Sequence, residues 1–199
     1  YLQASFTQQF LSLKAQGFDL AGNTLNAGNL ASFITASVQL QTLQLRAEGY
    51  TGSLASMQSQ RQVDAQRGQA VALGYVAAGD ATNTQAYQNA VNLMETHQLR
   101  GQGATGDNLF DLRHSASVLQ LKATGLLAAG STGTGLVGYF QYLQASFTQQ
   151  FLSLKAQGFD LAGNTLNAGN LASFITASVQ LQTLQLRAEG YTGSLASMQ

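Results

Sequence analysis

Residues 1–58 recur without a single change as residues 142–199, an offset of 141 residues. Folds tolerate most surface substitutions and many hydrophobic swaps, so selection for a fold would not hold 58 consecutive positions fixed. The identity therefore reflects copying of the segment itself. The sequence reads as a window on a tandem array, with 1–135 a nearly complete copy and 136–199 the start of the next, and the array is expected to continue on both sides.

A repeat implies that one packing problem is solved many times over. Solenoid units are roughly 20–50 residues long. A period of 141 residues matches instead the size of a whole domain. The segment 130–138, Gly-Ser-Thr-Gly-Thr-Gly-Leu-Val-Gly, has four glycines and no charge and is the expected joint between copies.

Within one period, five segments carry apolar residues at spacings of three and four, the pattern of a helix with one buried stripe. The cleanest runs Leu109, Leu112, Ala116, Leu119, Ala123, Leu126. A second runs Phe33, Ala36, Leu40, Leu43, Ala47, and a third Phe140, Leu143, Phe147, Phe151, Leu154, matched in the first copy by Leu2, Phe6, Phe10 and Leu13. Val63, Ala70, Leu73, Ala77 and Tyr87, Val91, Met94 complete the set.

The punctuation agrees with this reading. Asn29, Ser53, Thr82 and Asp107 stand where a helix N-cap is needed. Lys14, Arg46, Arg100 and Lys122 each precede a glycine by three residues, placing a cation against the negative end of the helix dipole just before a residue free to turn left-handed. The blocks Leu13–Gly17, Leu45–Gly49 and Leu121–Gly125 are similar enough to suggest older duplications inside the period; an alignment of the five helices scoring no better than shuffled sequence would remove that idea. The expected fold is all-α, about five amphipathic helices per unit forming a helical bundle.

One feature points elsewhere. Val38-Gln39-Leu40 and Leu43-Gln44-Leu45 alternate as a strand would, and several blocks end in glycine. In this respect the chain resembles the β-helix repeats of filamentous haemagglutinin-like adhesins. The resemblance covers about four short blocks, lacks a regular coil length and implies a β-solenoid as the alternative fold.

Composition narrows the function. Only 9% of residues are charged against roughly 25% in ordinary soluble domains, and the nine basic and nine acidic side chains cancel. Identical neutral units do not repel one another at long range, which permits close self-association. No basic stripe exists to neutralise phosphates, so nucleic acid is not an expected partner. Cysteine is absent, which excludes disulfides and thiolate metal sites. No apolar run reaches the length of a membrane span, and no signal peptide or N-glycosylation acceptor occurs in this window.

Candidate chemistry is sparse. Asp107, Asp111 and His114, spaced four and three apart, would share one helical face, where two carboxylates and an imidazole could hold a metal ion or move a proton. The same residues also suit structural duties: Asp107 as a cap, Asp111 in the first turn, His114 beside Arg113 on the solvent side. Glu95 and His97 are expected to be solvated. The aromatics Tyr139, Phe140, Tyr142, Phe147 and Phe151 suit a core as well as a ligand or sugar groove. No nucleophile motif or phosphate-binding fingerprint accompanies them. Enzymatic activity and a cofactor are therefore not expected.

Two functions remain. The first is a structural protein, a filament, fibre or surface stalk whose partners are other copies of itself, outside the cell or at its surface. The alternative is a multivalent binding or adhesin-like protein, each unit carrying a weak site for a glycan or surface ligand and the array supplying avidity.

Overall fold

The computed structural model describes residues 2–198, the side chain of Leu2 excepted. Helix accounts for 64% of the chain and no strand occurs among the described residues, so the fold is all-α and a β-solenoid is excluded. The helices are α1 (Leu2–Ala15), α2 (Leu30–Ala47), α3 (Leu54–Ala72), α4 (Gln85–Gly101), α5 (Leu109–Ala123), α6 (Gly135–Ala156), α7 (Leu171–Ala188) and α8 (Leu195–Met198). Helices α2 to α6 are the five of one period, and α7 repeats α2.

Each long helix stops in the same way. Gly17 sits at φ +94° and donates to the Lys14 carbonyl at 3.0 Å, while Phe18 donates to the Leu13 carbonyl at 3.2 Å. These paired bonds form a Schellman stop, with the glycine left-handed and the next residue folded back apolar onto the last turn. Gly49-Tyr50, Gly74-Tyr75, Gly103-Ala104, Gly125-Leu126, Gly158-Phe159 and Gly190-Tyr191 repeat both bonds. Leu126 thus belongs to the stop after α5 and not to the helix.

Two of the expected starts shift by one or two residues. The cap of α4 is Thr84, whose hydroxyl accepts from Tyr87 N, and not Thr82. The cap of α5 is Asn108, and not Asp107: its Oδ1 accepts from Asp111 N at 3.0 Å while its Nδ2 donates to Asp111 Oδ2 at 2.8 Å. Ser53 does accept from Ser56 N. Asn29 stands at the N-cap of α2 yet makes no capping bond. It is buried and ties the preceding loop together, donating to the carbonyls of Ala21 and Thr24 and accepting from Asn26 N. Asn170 repeats all three bonds in the second copy.

The helices form two compact units that do not coincide with the two sequence copies. One unit holds the described residues up to Met57 together with those from Phe147 onward; the other holds Gln58–Ser146. In the second unit, α4 and α5 lie side by side. Ala70, Tyr87, Val91 and Met94 make one apolar cluster, and Val118, Leu121, Leu127 and Ala145 another. Arg113 reaches from α5 to α4 and forks onto Glu95, with Nε–Oε1 at 2.6 Å and Nη2–Oε2 at 2.7 Å. Those hydrogen bonds hold the Glu95 carboxyl below its ordinary range against the opposing effect of burial, with the Arg113 charge adding to them.

Candidate functional site

The first compact unit is built from the two identical segments packed on each other. Its core gathers Phe10, Leu13, Phe33 and Ala36 from the first copy with their twins Phe151, Leu154, Phe174 and Ala177 from the second. Each copy first closes on itself: Phe10 meets Phe33 with ring centroids 6.1 Å apart, and Phe151 meets Phe174 at 6.3 Å. The pairing of copies then runs through α2 against α7.

Identical sequences that met across a two-fold axis would bury identical residues. These do not. Leu30, Ile34 and Val38 of α2 are 4%, 5% and 9% exposed, whereas their twins Leu171, Ile175 and Val179 on α7 are 44%, 53% and 44% exposed. The opposite bias holds elsewhere. Leu43 is 59% exposed and its twin Leu184 is half-buried against the core; Phe18 is half-buried and Phe159 is buried. The seam therefore joins two unlike faces, one from each copy.

Both faces are written into the same helix. At roughly 100° per residue, the row Leu30, Ile34, Val38, Leu45 is centred roughly 145° around the helix from the stripe Phe33, Ala36, Leu40, Leu43, Ala47. The upper part of the stripe closes each copy on its own first helix. In the second copy alone, its lower end at Leu184, with Phe159 after the stop of α6, faces the start of the other copy's aliphatic row. Ala27 and Leu30 share a groove with Phe159, Val179 and Leu184, and Phe18, Val38 and Leu43 share another with Ala188 and Tyr191.

Glycine permits the closest approach. A Cβ on Gly158 would come within 3.0 Å of the Asn26 backbone, whereas the same atom on its twin Gly17 would meet nothing within 4 Å. The seam buries aliphatic side chains, and each fully withdrawn Leu, Ile or Val contributes roughly 1.5–3 kcal/mol.

The sequence pattern identified the stripe and missed the aliphatic row. Its signal was the spacing of four in Leu30, Ile34, Val38. A helix apolar on two sides also accommodates the strand-like alternation of 38–47, since Leu40, Leu43 and Ala47 fall on one apolar arc and Val38 and Leu45 on the other without the backbone being extended.

The acidic and histidine trio does not come together. Asp107 is exposed in the turn before α5, and Asp111 is engaged by Asn108. His114 Nε2 lies 2.9 Å from the Gly133 carbonyl oxygen, an acceptor, and its ring stands edge-on to Tyr142 at 4.4 Å. Among the described residues, no three of His, Asp and Glu gather as metal ligands would. His97 Nδ1 pairs with the Tyr75 hydroxyl at 2.5 Å.

Several positions expected in the core are exposed. In α5, Leu112, Val118 and Leu121 are buried, while Leu119 lines an open groove with Ala116 and Ala123. In α6, Phe151 and Leu154 are buried but Phe140 and Phe147 are exposed. The glycine-rich run is partly tethered. Gly133 is buried at φ +68°, and a Cβ there would stand 2.4 Å from Val118 Cγ2.

No family model, curated protein or solved structure matches this chain. Its function is read from its own geometry. No helix among the described residues is long and apolar enough to cross a membrane.

Proposed function

We propose that this chain is a structural protein, a segment of a long tandem-repeat polymer whose identical neutral modules associate into a filament, fibre or surface stalk outside the cell or at its surface. The observation that carries the proposal is the seam: the repeated segment packs on its own twin through two unlike faces. A contact of that kind does not close on itself. Repeated by a fixed rotation and translation it generates an extended assembly, whereas a two-fold contact would stop at a pair.

Charge balance removes long-range repulsion between modules. Among the described residues no three of His, Asp and Glu gather, which gives little support to an acid, base and orienting set. The module presents surfaces and little chemistry. The test is electron microscopy of the purified chain at neutral pH and high concentration, alongside a glycan-binding panel. Extended particles are expected. A chain that stays monodisperse yet binds glycans would make it a multivalent adhesin instead.

A further inference from the structure

One apolar cluster of the second unit holds two tyrosines with opposite provision for the phenolic proton. Tyr75 follows the Gly74 stop, and its amide donates to the Ala70 carbonyl at 2.8 Å, which turns the residue back onto the end of α3. It packs, half-buried, against the cluster of Ala70, Tyr87, Val91 and Met94 and meets the exposed His97 of α4. The Tyr75 hydroxyl lies 2.5 Å from His97 Nδ1, with the ring centroids 5.8 Å apart. Tyr87 is 4% exposed and its hydroxyl has no hydrogen-bond partner.

Loss of an electron makes a phenol a strong acid, so oxidation is easier where a base takes the proton in the same step. In the tautomer that carries its proton on Nε2, neutral His97 offers such a base at Nδ1. Tyr87 has none, and a charged ring among apolar side chains is poorly solvated. We infer that Tyr75 is a redox-active tyrosine and a cross-linking site: a one-electron oxidant of the peroxidase class takes its electron, and His97 Nδ1 takes its proton. The products are a neutral tyrosyl radical and an imidazolium, which returns the proton to water. Two such radicals from two copies join through ring carbons next to the oxygen, and each ring then moves the displaced hydrogen back to oxygen. In balance, two tyrosines and one hydrogen peroxide give one dityrosine and two waters. His114 differs, since its Nε2 donates to the Gly133 carbonyl and its ring meets Tyr142 edge-on. The inference does not depend on self-association through the seam.

The test treats the full chain with a haem peroxidase and limiting hydrogen peroxide at neutral pH, and maps dityrosine by mass spectrometry of the digested chain at low conversion. Tyr75 is expected to be joined first. Tyr75→Phe should abolish the early cross-linked dimer, and Tyr87→Phe should leave it. His97→Asn cannot take the proton and should slow cross-linking by about tenfold or more, because base assistance is worth about 10²–10⁴-fold and water replaces it in part. Added imidazole should restore the rate of His97→Ala, which a histidine that only packs would not show. His97 is exposed, so circular dichroism of its variants should match that of the unaltered chain. Early dityrosine spread evenly over Tyr75 and the exposed Tyr139 and Tyr191, or a His97→Asn chain that reacts as fast as the unaltered one, would overturn the inference. Sedimentation reads self-association separately, so either result leaves that reading standing.

Discussion

Replacing the same isoleucine in the two copies isolates the seam from everything local. Ile34→Ala and Ile175→Ala alter the same residue in the same eighteen-residue helical sequence, so helix propensity, which favours alanine by a few tenths of a kcal/mol, cancels between them. What differs is burial. Ile34 is 5% exposed, and its loss removes three buried carbons, about 2.4 kcal/mol at about 0.8 kcal/mol each. A residual cavity raises this to about 3–4 kcal/mol. Ile175 is 53% exposed, so about half the transfer term applies and no enclosed cavity forms, leaving about 1 kcal/mol or less. The expected gap is about 2–3 kcal/mol. Urea unfolding followed by far-ultraviolet circular dichroism would read it as a difference in midpoint of about 1–2 M at slopes of about 1.5–2 kcal/mol per M. The experiment belongs at low protein concentration, where association between chains does not mask the difference. Equal midpoints for the two variants would refute unlike burial of the two copies, and with it the reading of the seam.

Three further outcomes follow from the same geometry. Asn29→Ala strips partners from the Ala21 and Thr24 carbonyls and from Asn26 N, and should lower the stability of the first unit by about 2–3 kcal/mol in urea unfolding. Tyr87 is buried and its hydroxyl has no hydrogen-bond partner, so Tyr87→Phe should leave the second unit as stable or more stable by about 1 kcal/mol, read as a raised thermal midpoint. The Glu95 carboxyl is held below its ordinary range in the fold, so the fork contributes above that range and its contribution disappears as pH falls through the depressed value. Glu95→Gln should therefore cost less than about 1 kcal/mol at pH 7, since Arg113 is largely solvated, and nothing near pH 2.

The helices were legible because their ends are chemically explicit. Cation, two residues and glycine marked six of the seven repeated stops, and only Gly74, preceded by Val71, lacks the cation. The apolar residue after each glycine carried further information that spacing alone did not use. Burial was less legible, because a stripe states only that a face is apolar. Leu119 and Leu43 obey the helical period as well as Leu112 and Phe33 do, yet stand exposed, since which apolar face is covered depends on neighbours distant in sequence. The twins make this plain: one sequence, Leu-Ala-Ser-Phe-Ile-Thr-Ala-Ser-Val, is buried along its row in α2 and open in α7. No local rule could have distinguished them. The start of α5 lies one residue later than the expected cap at Asp107. Asn108 takes the cap, which leaves Asp107 in the turn and draws Asp111 into the cap itself.

The central claim is that a repeated segment joins its twin through unlike faces, so that the contact does not close on itself. Within one chain the tether supplies a high effective concentration, and the seam forms. Between chains the same contact must also overcome lost translational and rotational freedom, so assembly should depend on concentration. Sedimentation equilibrium of the unaltered chain across a wide concentration range tests this most directly. The account predicts a weight-average mass that climbs steadily past the dimer without a plateau. A mass that stays at 21.0 kDa throughout, or that levels off at twice that value, would contradict it.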